Sequence, residues 1–518
     1  MGLSHSIPNR ALVQTLQKPD MEEIHAEDKA NEAFNTALYT LRNYGKSGID
    51  GIQPFPLRFA YGIPVEYTLT NSGTWNTLPN GDRLWQLKVR IPDALSLHAY
   101  YDAFFLPAGA KFFVYSEETC QSIGAITSNF LGGSYDNPIK FATAIIYGET
   151  MVFEYFHPAS VRDLAVISIS RIDYGYRFMG DSFIESEGRS TDTSCFVNVN
   201  CPQGLPWQKE KRAVAMIIIK GTTGSDWGSG ALINNTNNDL IPYFLTANHC
   251  LLGLDAISNP NASEWMFYWD YERTGCDNST PISQRSTVGA TVVANDSHSD
   301  YALLDLSTHQ NPVMAPDIGQ FPVYFLGWNR SSSAPAFGQG IHHPLANVKK
   351  ISFTDNIRSR PIFFQNYWRV EWHTGSTAGG SSGSPLLNSN GQVVGQLGWG
   401  LAGCGNNIPG FDGDNYGRFD LSWDYRPGST SIHRCLKYWL DPNNTNAFSL
   451  NGLNGCFTNF SNKTISQNAR IIGCSNLTVQ NVTVLSGNTV EITAGEILIL
   501  GPGFEAQLGS NVTITSGP

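Results

Sequence analysis

Along most of the chain, apolar residues alternate with polar ones in short runs bounded by Gly, Pro, Asn and Asp, a pattern that predicts half-buried β-strands. Leu84–Ile91, Lys111–Tyr115 and Met151–Tyr155 are such runs, and Pro79-Asn80-Gly81 and Pro107-Ala108-Gly109 read as turns between runs of this kind. Ala213–Ile219 is continuously apolar and reads as a fully buried strand. No apolar stretch approaches the ~20 residues needed to span a bilayer. Met21–Tyr44, rich in Glu, Ala, Asn and Leu, departs from the alternation and predicts a helix. Near the other end, Ser475–Gly487 and Gly509–Gly517 are similar pieces flanking EILILGPGFEAQLGS, and predict a small stack of strands or a plain β-sandwich tail. The polar segment Ser182–Ser194 has the make-up of an exposed linker. Three regions follow, at residues 1–189, 190–445 and 446–518.

A chain of 518 residues is too long for one core, so several domains are expected. Hydrophobic residues make up 41%, charged residues 15% and aromatic residues 12%, with 50 Gly, which suits mainly β domains with many turns. The net charge of −11 and the lack of any Lys/Arg run argue against nucleic acid as a partner. Met1–Lys18 lacks the apolar core of a signal peptide; the expectation is a leader already removed from a secreted protein. The nine cysteines include no Cys-x-x-Cys pair, which favours disulfides over zinc and an extracellular or cell-surface setting. No metal or other cofactor is expected.

Candidate chemistry is concentrated in the middle region. In Gly379-Gly380-Ser381-Ser382-Gly383-Ser384-Pro385, glycines flank a serine on a tight turn, which exposes a hydroxyl and lets backbone N–H groups face a developing oxyanion. The strands Pro385–Leu387 and Val393–Leu397 that follow argue against a linker. In Phe244-Leu245-Thr246-Ala247-Asn248-His249-Cys250 an apolar strand delivers a histidine at its end, a placement suited to a general base. Asp300 heads the apolar strand Tyr301–Leu304, where a buried carboxylate can hold an imidazole tautomer. Asp305, five positions on, reads as structural, and Asp296 and His298 are weaker candidates.

Together these motifs, in the order His, Asp, Ser, resemble the chymotrypsin-type serine peptidases, and most of all the bacterial lysyl endopeptidases. SCFVNVNCP from Ser194, WDYERTGC from Trp269, LGWNR from Leu326, IHHP from Ile341 and DGDNYGR from Asp412 add to the resemblance, which covers residues 194 to 445. Thr74–Leu87 and Phe104–Tyr115 resemble the pro-region of secreted bacterial peptidases, although a carbohydrate-binding-like sandwich has a similar pattern.

The resemblance implies a chymotrypsin-like double β-barrel between an N-terminal β-sandwich pro-domain and a C-terminal β module. It implies a triad of His249, Asp300 and Ser382, with the N–H groups of Gly380 and Ser382 as oxyanion hole. Trypsin's specificity acid would fall at Ser376; lysyl endopeptidases use the opposite wall, which points to Asp414, the alternatives there being a solvated or calcium-binding loop. Gly398 replaces the histidine those enzymes carry, and Trp399-Gly400 resembles the substrate-pairing edge of trypsin-like enzymes, so Lys and/or Arg is expected rather than strictly Lys. The expected processing site is Arg189–Ser190, cut by the enzyme itself. Ser381 stands where the trypsinogen route needs an Asp, so the pro-region is expected to fold or block the enzyme and then be shed. Implied disulfides join Cys195 to Cys404 and Cys201 to Cys276; Cys456 and Cys474 are candidates for a third. The usual partner of Cys250 is replaced by Gly228, which leaves that thiol free, and Cys120 and Cys435 are unassigned. Expected partners are protein or peptide substrates and the chain's own pro-region, with surface attachment through the C-terminal module as an option. The competing readings are a binding or adhesion protein on a silent peptidase fold, and a carbohydrate-binding or structural β protein.

Overall fold

The structure, a computed structural model, describes residues 12–43, 52, 54–128, 133–177, 194–280, 282–307, 323–362, 365–404, 413–424, 431–466 and 469–516. Arg189 and Ser190 lie outside the described residues, as does Asp412. The alternating runs near the N-terminus form two sheets. Arg83–Arg90 lies between Val13–Thr15 and Thr150–His157, and the last of these pairs with Lys111–Tyr115. Leu57–Thr68, Val166–Gly175 and Ser96–Phe105 build the second sheet. The inward positions of both, among them Trp85, Leu87, Val89, Tyr101, Phe104, Phe112 and Phe153, make one buried core, so this part is a β-sandwich.

The second sheet does not end at the sandwich. Leu57–Thr68 pairs antiparallel with Gly224–Leu232, with Gly224 opposite Tyr61 and Trp227 opposite Leu57. Gly224–Leu232 is also a strand of the first barrel of the middle region, where it pairs with Val214–Lys220 and Tyr243–Ala247. Twelve strands thus run continuously through both domains. A separate ten-stranded sheet forms the second barrel, including Gly338–His342, Lys350–Thr354, Gln392–Gly400 and Asp414–Arg418. Ser449–Leu450 and Leu453–Asn454 pair back onto Gly327–Asn329 and Tyr324–Phe325. Beyond them Phe457–Ile465, Ala469–Val484, Thr489–Ala494 and Asn511–Ser516 pair only in parallel with one another, and Val479, Val482, Val490 and Ile492 are buried between them. Of the two expectations for this tail, it is the stack of strands.

One long helix, α1 (Met21–Asn43), packs against Arg58, Tyr176 and Trp399. Asp20 caps it, accepting the N–H groups of Glu22 at 2.9 Å and Glu23 at 3.3 Å. Glu22 and Glu23 in the first turn and Arg42 in the last complement its dipole. Asp28, on its buried face, accepts from Arg58 Nε at 2.9 Å, Tyr176 Oη at 2.6 Å and Arg177 Nη2 at 3.1 Å. Asn35 exchanges two hydrogen bonds with the backbone of Phe55, at 2.8 and 2.9 Å.

Candidate active site

The first barrel brings His249 and Asp300 together through strand register. Tyr243–Ala247 pairs antiparallel with Tyr301–Asp305, Ala247 opposite Tyr301. The residues just past one strand and just before the other are therefore neighbours. Asp300 Oδ1 accepts the His249 backbone N–H at 2.9 Å, and its Oδ2 lies 2.8 Å from His249 Nδ1. Asp300 holds φ at 54°, in the left-handed region that Asp tolerates better than most residues, and both side chains are buried. Burial works against a charged His249, but the Asp300 carboxylate outweighs it and raises the imidazole pKa. Asp305 pairs opposite Tyr243 at the far end of the same ladder, and its carboxylate accepts from Ser307. Asp296 and His298 line the cleft beside His249 but bond each other, His298 Nδ1 lying 3.2 Å from Asp296 Oδ1.

The Ser382 turn is set by glycine. Gly380 and Gly383 adopt φ of 91° and 83°, and a Cβ on Gly383 would come within 2.2 Å of Thr246 Oγ1 and 2.4 Å of the Ser229 carbonyl. The N–H groups of Ser381, Gly383 and Ser384 are bound by the carbonyls of Ala378, Leu397 and Ser381. Those of Gly380 and Ser382 carry no hydrogen bond among the described residues, and Gly380 and Ser382 line a cavity together with Gly400. That cavity adjoins the His249 cleft, and Asn31, Phe55, Pro56 and Arg58 line both. Among the described residues, no hydrogen bond closes between His249 and Ser382, a contact that often tightens only when substrate binds.

Asp414 lies opposite Gly400 in the second barrel and is 2% exposed. Its Oδ2 accepts from Thr377 Oγ1 at 2.5 Å and from Trp372 Nε1 at 2.7 Å. Burial raises its pKa; the bonds from Thr377 and Trp372 and the nearby Arg369 pull the other way. Asp414 and Asn415 open the strand Asp414–Arg418, with Gly413 just before it. A Cβ on Gly400 would meet Asp414 Oδ1 at 1.9 Å, so only glycine leaves that carboxylate in place. Trp399 is buried and carries a helix residue on its face: Tyr39 of α1 stacks on it with centroids 5.7 Å apart, and the Arg42 guanidinium lies 5.4 Å from its ring centre. Burial raises the Tyr39 phenol pKa, and Asp300 and Asp414 are both near enough to add to that rise.

Disulfides link Cys195 to Cys404, Cys201 to Cys276 and Cys456 to Cys474. Cys120, Cys250 and Cys435 form no disulfide among the described residues. A Cβ on Gly228 would lie 3.3 Å from Cys250 Sγ, so the glycine faces the free thiol. Trp372, Thr377 and Tyr39 escaped the sequence reading, because each comes from an element whose position no local pattern reveals.

Residues 189–417 match a family model described as the C-terminal domain of lysyl endopeptidase. This region is similar to the C-terminal domain of lysyl endopeptidases. The lysyl endopeptidase of Pseudomonas aeruginosa is 29% identical over 279 residues, a match covering 50% of this chain and 56% of that protein. The chain thus spans about half the length of this curated relative. Among solved structures, the HtrA-type protease AlgW with a tripeptide aligns at 16% identity and a TM-score of 0.27, covering 41% of this chain and 58% of that one. Rv3671c from M. tuberculosis H37Rv, a Ser-to-Ala mutant in an inactive form, aligns at 16% identity and a TM-score of 0.23, covering 40% of this chain and 82% of that one. The matched residues include strands of both barrels.

Proposed function

We propose that this chain is a secreted serine endopeptidase that hydrolyses peptide bonds after Lys and/or Arg and is made as a latent precursor. The observation that carries the reading is the buried His249–Asp300 pair beside a glycine turn whose two free N–H groups flank Ser382. His249 Nε2 takes the proton from Ser382 Oγ as that oxygen attacks the scissile carbonyl carbon. Asp300 accepts the Nδ1–H bond and stabilises the imidazolium. The N–H groups of Gly380 and Ser382 bind the oxyanion. The imidazolium then protonates the leaving amine, and water, deprotonated by the same imidazole, releases the acyl group from Ser382.

Asp414 pairs with the basic side chain before the scissile bond, and its existing bonds from Thr377 and Trp372 hold it toward that task. The edge of Trp399 and Gly400 pairs with the substrate backbone. Residues 1–189 act as the pro-region, released by a cut at Arg189–Ser190 that the enzyme makes itself. Latency is supported by Tyr39 stacked on Trp399 and by the helix residue Asn31 lining the Ser382 cavity. The disulfides fit an extracellular setting, in which the C-terminal module attaches the enzyme to a surface.

A phosphonate carrying a lysine-like side chain tests the reading. It is expected to label the processed chain at Ser382 and to leave Ser382→Ala unlabelled. A processed chain that resists the probe and cleaves no basic peptide supports the silent binding protein instead.

A further inference from the structure

The loop that carries Ser382 is held from behind by a buried side-chain network. Ser381 turns its side chain inward, where Oγ accepts the Ala378 N–H at 3.2 Å and meets His342 Nδ1 at 2.9 Å. The other nitrogen, His342 Nε2, lies 3.0 Å from Ser352 Oγ. Ser381, His342 and Ser352 are each fully buried. His342 pairs with Lys350, and Gly340 with Ser352, in adjacent antiparallel strands, so the histidine and Ser352 are diagonal neighbours on one face of that ladder. With the His342 ring neutral and its proton on Nε2, these contacts are all made by Ala378 N–H donating to Ser381 Oγ, Ser381 O–H to Nδ1, and Nε2–H to Ser352 Oγ. Burial with the nearby Lys350 pushes the imidazole pKa down to about 3.

The carbonyls of the turn are anchored as well. Leu345 N–H holds Gly379 O at 2.6 Å and Ser384 N–H holds Ser381 O at 3.0 Å. Ser229 holds two more, its Oγ donating to Gly380 O at 2.8 Å and its N–H to Ser382 O at 2.8 Å. In a planar trans peptide the N–H points opposite the C=O. Anchoring the carbonyls of Gly379 and Ser381 therefore orients the N–H groups of Gly380 and Ser382, the two left free.

We infer that His342, acting through Ser381, is a positioning residue that keeps the oxyanion turn in its reactive shape in the uncut chain, so the turn needs no new amino terminus to form. The inference rests on the serine-peptidase reading above. Cleavage of the linker then opens the cleft and leaves the turn unchanged.

The test uses full-length chains in which the linker carries the site of an unrelated protease, so that processing does not depend on the variant's own activity. Against a lysyl amide, His342→Ala is expected to lower kcat about 100-fold with KM within about threefold, the scale of losing an oxyanion donor. Affinity for a peptidyl-lysine aldehyde, whose adduct places an oxygen in the hole, should fall in parallel, while benzamidine, which fills only the side-chain pocket, should bind as before. His342→Asn, whose amide reaches the position of Nδ1, should restore most of the loss. If His342→Ala does not fold, His342→Asn and Ser352→Ala carry the comparison, Ser352→Ala giving the larger loss in kcat. Moving the cut two residues upstream should leave kcat unchanged. Unchanged kcat and aldehyde affinity, equal loss of benzamidine binding, or a dependence of kcat on the new terminus would overturn the inference. Turnover by Ser382→Ala would instead reject the peptidase reading itself.

Discussion

The contact most open to perturbation is Asp28, which ties α1 over the cleft. Its carboxylate is 5% exposed and takes three hydrogen bonds, from Arg58, Tyr176 and Arg177. Removing one partner of a buried ion pair costs about 3–5 kcal/mol, because the remaining charge stays buried without compensation. Here the cost lies at the lower end: Arg58 keeps Glu27 at 3.0 Å and Arg177 keeps Glu32 at 3.6 Å. About 3 kcal/mol corresponds to about a 100-fold rise in the population with the helix lifted. Asp28→Ala is best made on Arg189→Gln, so that the proposed cut is blocked. The assay is the second-order rate of phosphonate labelling at Ser382, which reads the fraction of chains with an open cleft. A rise of about 100-fold is expected, with Asp28→Asn giving a smaller one. If limited proteolysis finds α1 exposed in Asp28→Ala while labelling stays at the parent rate, the helix is not what occludes the site.

Asp414→Asn removes the charge that pairs with a basic side chain, and kcat/KM for lysyl and arginyl peptides should fall at least 100-fold while a peptide with a neutral residue there changes little; competition between such peptides measures it. Gly383→Ala places a Cβ 2.2 Å from Thr246 Oγ1 at a positive φ, so a loss of several kcal/mol is expected, read as a lower denaturation midpoint. Asp226, in the strand shared between sandwich and barrel, has its pKa raised by burial to about 7, with Arg58 opposing and Asp28 and Asp173 adding. The folded state then binds more protons than the unfolded one between about pH 4 and 7, so this contribution to stability is full below that window and is lost as pH rises through it. Asp226→Asn should flatten the pH dependence of the denaturation midpoint across that window, and an unchanged slope would contradict the assignment.

Much of the fold was legible because it is written in local periodicity. Alternation found the sandwich strands to within a residue or two, Arg83–Arg90 for the expected Leu84–Ile91 and Thr150–His157 for Met151–Tyr155. The Glu- and Ala-rich run gave α1 almost to its last residue. His249, Asp300 and Ser382 stood out because each sits where a strand meets a turn, and that junction has a composition of its own: apolar run, small residues, polar group. The Cys195–Cys404 and Cys201–Cys276 disulfides, by contrast, were expected by resemblance alone, since cysteine spacing does not determine pairing.

Partnership across the chain was not legible. Pairing between strands is set by burial over the whole molecule, and one residue of slip would turn every side chain to the other face. So nothing around Leu57 announced that its strand would extend the peptidase sheet, nor that α1 would bring Tyr39 onto Trp399. Trp372 and Thr377 meet Asp414 from 42 and 37 residues away, and His342 meets Ser381 across 39. Local pattern settles the kinds of chemistry the chain carries and the turns that present it. Tertiary structure decided what covers, orients and charges those groups, because fields and hydrogen bonds act through space between segments that no local pattern connects.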